Sequence, residues 1–378
     1  MTIRNLMISA ATLAVVSVPA FADIDIGASL SETGPAAFLG DPEAKTLRME
    51  VDKINEAGGI NGEKINLIIY DDGGDANKAK TFATRLVEDD EVIAVIGGTT
   101  TGTTMAMIPV FEDAEIPFIS LAGAVDIIQP VKPFTFKTPH TDRMACEKIF
   151  ADMTGRGLTK IGMISGSDGF GKSMQAQCKD VAEASGVEIV ADETYGPQDA
   201  DMTPQLTNIK GSGAQAILNS GMGQGPAIIT RNHKQLAIDA PLYQSHGVAS
   251  KQFIELAGAE AAEGVRLPAA ALLVADQLPG DDPQKAVVTD YRDAYQTAIN
   301  EDVSTFGGHA HDALAILVAA IERAGGTNPV AIRDEIEATE NFTGTGGVVN
   351  FTPEDHLGLT LDAFRMLEIK DGNWTIAE

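Results

Sequence analysis

The 378-residue sequence has few cysteines, few aromatic residues and little positive charge. It contains two cysteines, Phe, Trp and Tyr make up 5% of it, and 27 basic residues stand against 54 acidic ones, for a net charge of −27. A surface with this excess of negative charge repels nucleic acid and anionic lipid and keeps a protein soluble. We therefore expect no nucleic-acid partner, and we interpret the charge as a solubility property rather than a sign of an acid-specific partner.

Sequence motifs of common catalytic and metal sites are also missing. The chain contains no G-x-S-x-G, H-E-x-x-H or C-x-x-C, so nothing in it points to an enzyme. His309 and His311 are two residues apart at the start of a predicted helix, where their side chains diverge by about 200°, and no nearby Cys or acidic pair completes a four-ligand site. Asp71 and Asp72 lack the pattern of a calcium loop. We expect neither a metal nor a cofactor.

One apolar run stands at the N terminus. In residues 1–22 Arg4 is the only charge, the run extends from Leu6 to Val18, and Ala20-Phe21-Ala22 supplies a small-x-small cleavage site. A membrane span needs about 20 consecutive apolar residues, and this run is shorter. We predict a secretory signal peptide that is cleaved after Ala22, and an exported chain with no direct membrane insertion after cleavage.

The two cysteines would then lie in an oxidising compartment, where a disulfide is permitted. Cys146 and Cys178 each fall in a predicted helix, one before and one after the predicted strand at 160–165. Neighbouring helices on one face of a sheet would bring the two side chains together. The sequence leaves open whether they are bridged.

Apolar strand-like runs alternate with helical patterns along most of the chain. Strands are predicted at 24–30, 65–70, 92–96, 117–121 and 134–138, and then at 160–165, 188–194, 216–220 and 241–245, with helices between them at 75–90, 102–114, 142–156, 170–185, 203–210 and 224–237. Continuously apolar strands separated by amphipathic helices indicate parallel sheets covered on both faces. The predicted fold class is α/β, with two doubly wound parallel-sheet lobes.

The last third of the chain does not form a further unit. Helices are predicted at 283–300, 306–324 and 329–338, followed by strand-like runs at 347–351 and 363–369. These elements are better explained as completing the two lobes. We predict that residues 23–142 and 269–350 form lobe 1, and that residues 143–268 and 351–378 form lobe 2.

A nucleotide-binding motif is present but is not supported by its context. The run Gly166-Ser167-Asp168-Gly169-Phe170-Gly171-Lys172-Ser173 matches G-x-x-x-x-G-K-[ST] between a strand and a helix. Export removes the chain from the ATP pool, Asp168 places a negative charge where phosphates would lie, and the strand at 216–220 lacks the Mg²⁺-binding Asp. We interpret the run as a glycine-rich turn that begins a helix and exposes Phe170 at the carboxyl end of a sheet.

A threonine-rich turn is a better candidate for binding. Thr99-Thr100-Thr101-Gly102-Thr103-Thr104 follows one predicted strand and precedes a helix. Hydroxyls and free backbone N–H groups would gather at this helix N terminus, which suits a carboxylate. An ordinary N-cap would explain one or two hydroxyls rather than five, and we therefore favour an anion site.

Several short motifs in a fixed order carry a family resemblance. They are Thr33-Gly34-Pro35, the run at 55–62, Tyr70-Asp71-Asp72, Val95-Ile96-Gly97 and the run at 116–120. Together they resemble periplasmic solute-binding proteins of branched-chain-amino-acid-type ABC importers, over essentially the whole chain after the signal peptide. The resemblance implies two lobes joined by three crossings, a ligand cleft that closes between them, and delivery of the ligand to a membrane permease. We expect a monomer.

The resemblance also implies which residues bind the ligand. Thr101, with Thr99 and Thr100 beside it, would receive the ligand carboxylate, and Phe170 would cover the ligand from the second lobe. The other implied contacts are Ala122, Gly123 and Ala124 on the loop after a strand, and Gln224 in the loop at 221–225.

Two departures from the family pattern affect the ligand. His246 stands where amino-acid-binding relatives have an acidic residue for the α-ammonium, and Ala124 stands where they usually have Thr. A buried ammonium without a carboxylate partner costs several kcal/mol, whereas a His donates to a carboxylate, hydroxyl or carbonyl. We therefore expect a small carboxylate without an α-ammonium, with His246 or His309 at its far end. Segments 223–227, 261–265, 306–310 and 355–359 are similar to members that bind aromatic carboxylates.

Other functions remain open at this point. A branched-chain or other amino-acid receptor is the main alternative, because another acid could rotate into the ammonium position. A sensory module for a receptor kinase would use the same fold and cleft. An exported enzyme is the most distant alternative, since a shared fold does not fix function.

Overall fold

The computed structural model describes residues 23–377, so that the predicted signal peptide at 1–22 lies outside the described residues. Within that range, no helix combines the length and the apolar character that crossing a bilayer requires. The chain forms two α/β lobes, each built on its own sheet.

The first sheet has five parallel strands in the order β2-β1-β3-β4-β5. The strands are β1 (Ile24–Leu30), β2 (Ile65–Asp71), β3 (Ala94–Gly97), β4 (Phe118–Ser120) and β5 (Thr135–Lys137), and the intervening helices are α1 (Ala37–Glu56), α2 (Ala76–Glu88) and α3 (Thr101–Asp113). Gly58 and Gly59 follow α1 with φ of 112° and 76°, a conformation that favours glycine, and the helix ends just before them. From β1 the chain adds β2 on one side and β3, β4 and β5 on the other. This change of side places a crevice at the carboxyl ends of β1 and β3.

The second sheet has seven strands in the order β14-β13-β10-β9-β8-β6-β7, of which β6 to β10 are parallel. The elements are α4 (Asp142–Gly155), β6 (Lys160–Gly166), α5 (Gly169–Ala182), β7 (Glu188–Tyr195), α6 (Thr203–Gly211), β8 (Ala216–Ser220), α7 (Gly225–Gln235), β9 (Leu242–Gln244), α8 (Lys251–Ala257), α9 (Ala259–Ala262), β10 (Arg266–Ala269), β13 (Arg365–Lys370) and β14 (Asn373–Ile376). The last two strands pair antiparallel at one edge. The predicted two-lobed α/β fold is confirmed.

The chain passes between the lobes three times. It first crosses after β5, returns to the first lobe before α11 (Thr305–Ala324), and crosses again before β13. Helix α10 (Lys285–Ile299) adds Tyr291 and Tyr295 to the second core. Helices α11 and α12 (Pro329–Glu337), with the hairpin β11 (Phe342–Thr343) and β12 (Val348–Val349), pack on the first lobe.

These contacts shift two of the predicted lobe boundaries. Residues from Ala269 to Val303 pack in the second core rather than in lobe 1, and residues from Phe351 to Ala363 pack in the first core rather than in lobe 2. The apolar pattern of a helix shows that one face is buried. It does not show which of two cores receives that face.

Helices α4 and α5 lie side by side on the second sheet. Their residues Cys146 and Cys178 are fully buried and joined by a disulfide, with Cα atoms 5.0 Å apart and a sequence separation of 32. The sequence left open whether the two cysteines are bridged, and the structure shows that they are. The bridge connects the helix that enters the second lobe to the helix that carries Phe170.

Reduction of this disulfide is expected to lower the free energy of unfolding by between about 3 and about 5 kcal/mol, because the bridge restricts the unfolded chain over a loop of this length. Urea unfolding with and without reductant measures the change. The double variant Cys146→Ala/Cys178→Ala is the control and should not respond to reductant. An unchanged urea midpoint for the reduced wild-type protein would contradict the prediction.

Candidate functional site

A small cavity of about 40 Å³ lies between the two lobes. Side chains from both lobes enclose it, and most of them stand at the carboxyl ends of strands or in the first turns of helices. Its lining residues are Leu39, Thr99, Thr100, Thr101, Leu121, Gly123, Pro139, Phe170, Met222, His246, Gly247, Phe306 and His309. This is where ligands bind in open parallel sheets.

Two threonines of the threonine-rich turn hold the loop itself together. The Thr99 hydroxyl accepts a hydrogen bond from the Ser31 backbone N–H over 3.0 Å and donates to the Glu43 carboxyl. The Thr104 hydroxyl donates to the Gly98 carbonyl over 2.7 Å. Neither hydroxyl is therefore free for a ligand.

Two more threonines cap helix α3. The Thr100 hydroxyl accepts from the Thr103 backbone N–H, and the Thr103 hydroxyl accepts from the Thr100 backbone N–H, each over 3.1 Å. Four of the five hydroxyls are therefore used in capping and packing, and the number of hydroxyls does not by itself support the predicted anion site. Within the described chain the buried Thr101 hydroxyl has no hydrogen-bond partner, and it lies beside the N–H groups of a helix's first turn, which lack intrahelical acceptors.

The opposite wall of the cavity comes from the second lobe. Phe170 stands in the first turn of α5, and His246 lies on a short helical turn that Ser245 caps. The two rings meet edge to face with centroids 5.3 Å apart. Gly123 of the first lobe faces both, and a Cβ atom there would lie 2.9 Å from His246 Nε2 and 3.0 Å from Phe170 Cε2. Only glycine allows this approach of the two lobes.

The glycine loop before α5 has its own carboxylate. Asp168 is the N-cap of α5, and its Oδ1 accepts hydrogen bonds from the backbone N–H groups of Phe170 and Gly171 over 2.9 and 3.1 Å. These are the groups that a phosphate would need at a helix N terminus. The contacts support the interpretation of this loop as a turn that places Phe170 at the cavity.

The two neighbouring histidines of α11 point in different directions. His309 lines the cavity, and its Nδ1 has no partner in the part of the chain that the structure describes. His311 lies behind it, with Nδ1 3.0 Å from Glu50 Oε1. Among residues 23–377, no three His, Cys, Asp or Glu side chains are arranged to hold a metal ion.

Burial keeps the cavity histidines neutral. Burial lowers the pKa of His246 to about 3, the positive charge of Lys137 adds to the shift, and the nearby His140 carbonyl opposes it. Burial and Lys137 lower the pKa of His309 to about 3 as well. Neither ring nitrogen of His246 has a hydrogen-bond partner among residues 23–377. The cavity therefore presents uncharged nitrogens that can donate to or accept from a ligand.

The cavity brings together most of the predicted site residues. Those that line it are Thr99, Thr100, Thr101, Gly123, Phe170, His246 and His309. Three others do not: Ala122 and Ala124 are buried in the first core, and Gln224 lines an adjoining recess of about 700 Å³ that shares Thr100, Phe170 and Met222 with the cavity. Apolar lining residues that sequence reasoning missed are Leu39, Leu121, Met222 and Phe306. In a sequence, an apolar residue in a cavity has the same pattern as one in a core.

The chain is similar to known proteins over almost its whole length. A family profile described as "Periplasmic binding protein" matches residues 23–373. The leucine-, isoleucine-, valine-, threonine- and alanine-binding protein of Pseudomonas aeruginosa is 26% identical over 320 residues, 84% of this chain and 82% of that protein. Leu/Ile/Val-binding protein homolog 3 of Brucella melitensis is 26% identical over 317 residues, 82% of each.

Solved structures show the same similarity. An extracellular ligand-binding receptor from Rhodopseudomonas palustris superposes with a TM-score of 0.88 at 28% identity, covering 94% of this chain and 100% of that one. A branched-chain amino acid transporter substrate-binding protein from Streptococcus pneumoniae, in complex with isoleucine, superposes with a TM-score of 0.84 at 26% identity, covering 94% and 99%.

Acidification is expected to destabilise the folded protein, because the unfolded chain binds protons that buried His246 and His309 do not. Their contribution is fully present above the unfolded histidine pKa of about 6.5 and is lost below it, by up to about 1.4 kcal/mol per pH unit for each histidine. Urea unfolding at a series of pH values measures the slope. The variant His246→Gln should lose less stability on acidification than the wild-type protein.

His311→Gln is the matched control. Burial lowers the pKa of His311, but its hydrogen bond to Glu50 and the neighbouring negative charges outweigh burial and raise it overall. Its contribution has the opposite sign, since it is present at acidic pH and lost as the pH rises through the folded pKa. The control variant should therefore lose more stability on acidification than the wild-type protein. Identical slopes for the two variants would contradict the assignment.

Proposed function

This chain belongs to the periplasmic binding protein family, and on that premise we propose that it is the exported substrate-binding component of an ABC importer. It captures a small carboxylate between its lobes and delivers it to a membrane permease. The predicted signal peptide, cleaved after Ala22, supports a periplasmic location. The relatives named above are binding proteins, and we propose no chemistry on the ligand.

Our choice of ligand rests on one observation: the lining residues described above include no Asp or Glu. The only titratable side chains that line the cavity within residues 23–377 are His246 and His309. An α-ammonium group buried there would have no charged partner, at a cost of several kcal/mol. We therefore favour a carboxylate that lacks an α-ammonium. Its acid group binds at the Thr101 hydroxyl and the N terminus of α3.

The apolar lining supports an aromatic body for this ligand. Phe170 and Phe306 stand on the cavity wall with Leu39, Leu121 and Met222. Aromatic rings in contact gain about 0.5–1.5 kcal/mol beyond the burial of their area. His246 or His309 then contacts the end of the ligand that is far from Thr101.

A branched-chain amino acid is the second candidate. The names of the curated relatives and the isoleucine complex of a structural neighbour favour it. It requires an acidic side chain from outside the present lining to reach the ammonium group. A ligand-sensing module of a signalling receptor would use the same cavity and differs only in its partner.

Benzoate is expected to stabilise the protein more than isoleucine does in a thermal-shift titration. A ligand at 100 times its dissociation constant adds about 2.7 kcal/mol to the free energy of unfolding. Benzamide, which has the ring but no carboxylate, is the matched control compound and should give a much smaller shift. Stabilisation by isoleucine and not by benzoate would make the second candidate the correct one.

Thr101→Val is expected to weaken carboxylate binding by about 1.5–3 kcal/mol, or about tenfold to a hundredfold in Kd, because a hydrogen bond to a charged group is lost without a change in side-chain shape. Isothermal titration measures Kd. Thr84→Val is the control, since Thr84 is half-buried outside the cavity and its hydroxyl donates to the Lys80 carbonyl on α2. An unchanged Kd for Thr101→Val would mean that the threonine-rich turn is a helix cap and nothing more.

A further inference from the structure

A fully buried lysine lies behind the cavity histidines. Lys137 is the last residue of β5, at the first crossing between the lobes, and it is 0% exposed. Its Nζ has a single hydrogen-bond acceptor in the described chain, the His140 carbonyl at a long 3.4 Å. Burial lowers the pKa of Lys137 to about 7, against the opposing charge of Asp142.

Three buried histidines lie within electrostatic range of this lysine. His140 stacks on Phe364 with centroids 3.7 Å apart, its ring lies 6.4 Å from that of His309, and the ring of His246 lies 5.5 Å from Phe364. Nε2 of His140, Nδ1 of His309 and both ring nitrogens of His246 are buried and have no hydrogen-bond partner within residues 23–377. We call Lys137, His140, His246 and His309 the basic cluster.

The carboxylates that face the basic cluster are already engaged. Asp142 of α4 lies near Lys137, and Asp312 of α11 lies one turn from His309. Each accepts three hydrogen bonds, from the Val125 and Arg143 backbone N–H groups and the Ser173 hydroxyl for Asp142, and from the Thr345 N–H and hydroxyl and the Gly346 N–H for Asp312. Phe170 and Gly123, which also pack against His246, bring no charge. The basic cluster therefore has more proton-accepting groups than negative charge.

An anion in the cavity changes the protonation of such a cluster. A carboxylate without a nearby positive charge is costly to bury, and an opposite charge within about 4–6 Å raises the pKa of a histidine. His246 lines the cavity and has two unpartnered nitrogens, so that a protonated ring can donate one N–H to the ligand. Lys137 and His140 do not line the cavity, and the charge of Lys137 acts on His246 from within the protein.

We propose that binding of the carboxylate ligand is coupled to uptake of one proton by the basic cluster, with His246 as the residue that donates to the ligand and on which this uptake depends. The proton comes from solvent or buffer and goes to a nitrogen of the basic cluster, and no bond of the ligand breaks. The bound carboxylate and the added proton together bring no net charge into the protein interior. This coupling rests on the proposed function, because it requires a ligand that is an anion rather than a zwitterion.

Isothermal titration of benzoate at neutral pH, in buffers with different ionisation enthalpies, tests the coupling. The dependence of the observed heat on buffer enthalpy should give an uptake of about one proton per bound benzoate, and Kd should rise by up to about tenfold per unit of increasing pH. His246→Gln keeps a hydrogen-bonding side chain that does not titrate. It should bind benzoate more weakly, with little proton uptake and a flatter dependence on pH.

His233→Gln is the matched control, because His233 is a half-buried histidine of α7 whose Nε2 contacts the Ala240 carbonyl outside the cavity. It should retain the proton uptake of the wild-type protein. Benzoate binding without proton exchange would overturn the coupling and leave the proposed function intact. Full proton uptake by His246→Gln would overturn the assignment to His246.

Isoleucine binding in place of benzoate would overturn both the proposed ligand and the coupling, because a zwitterion brings its own positive charge. If neither compound binds, NMR titration of the six histidine ring resonances in the free protein measures the pKa of each histidine, and these values test the proposal. Depressed midpoints for His246 and His309 would support a buried cluster that is able to accept a proton. Ordinary midpoints near about 6.5 would overturn it.

Discussion

The close contact of the two lobes at Gly123 is the constraint on which the site depends. The loop after β4 meets His246 and Phe170 of the other lobe at distances that leave no room for a Cβ atom. Because the lobes meet there, the carboxyl ends of two separate sheets enclose one small volume. Three chain crossings hold the lobes in this relation, and the cavity residues therefore come from parts of the sequence that are far apart.

In this site, polar groups with hydrogen-bond partners in the protein stabilise the local structure, whereas polar groups without such partners are available to a ligand. Most polar groups buried in a protein have partners, and four of the five threonines in the turn before α3 follow that rule. Three exceptions lie at the cavity, since Thr101, His246 and His309 line it and each has a buried atom without a partner among the described residues. A ligand with an acceptor at one end and a polar group at the other would satisfy them.

The charge of the protein is distributed unevenly between its surface and this region. The chain has 54 acidic residues against 27 basic ones, yet four basic side chains are buried together at the first crossing beside two carboxylates that are already hydrogen-bonded. Burial lowers the pKa of each of these bases. An anionic ligand would supply the negative charge that the buried bases lack. The acidic surface has a different role and keeps the protein soluble.

The sequence by itself determined the elements and the fold class, because hydrophobic period and turn residues are local properties. Resemblance to a family also led to the prediction of Thr101, Phe170, His246 and His309 as site residues, and all four line the cavity. Only the tertiary structure decided which core receives α10, that the cysteines are bridged, that Leu39 and Phe306 line a cavity, and that Gln224 does not. These outcomes depend on contacts between residues distant in the chain, and no local pattern records such contacts.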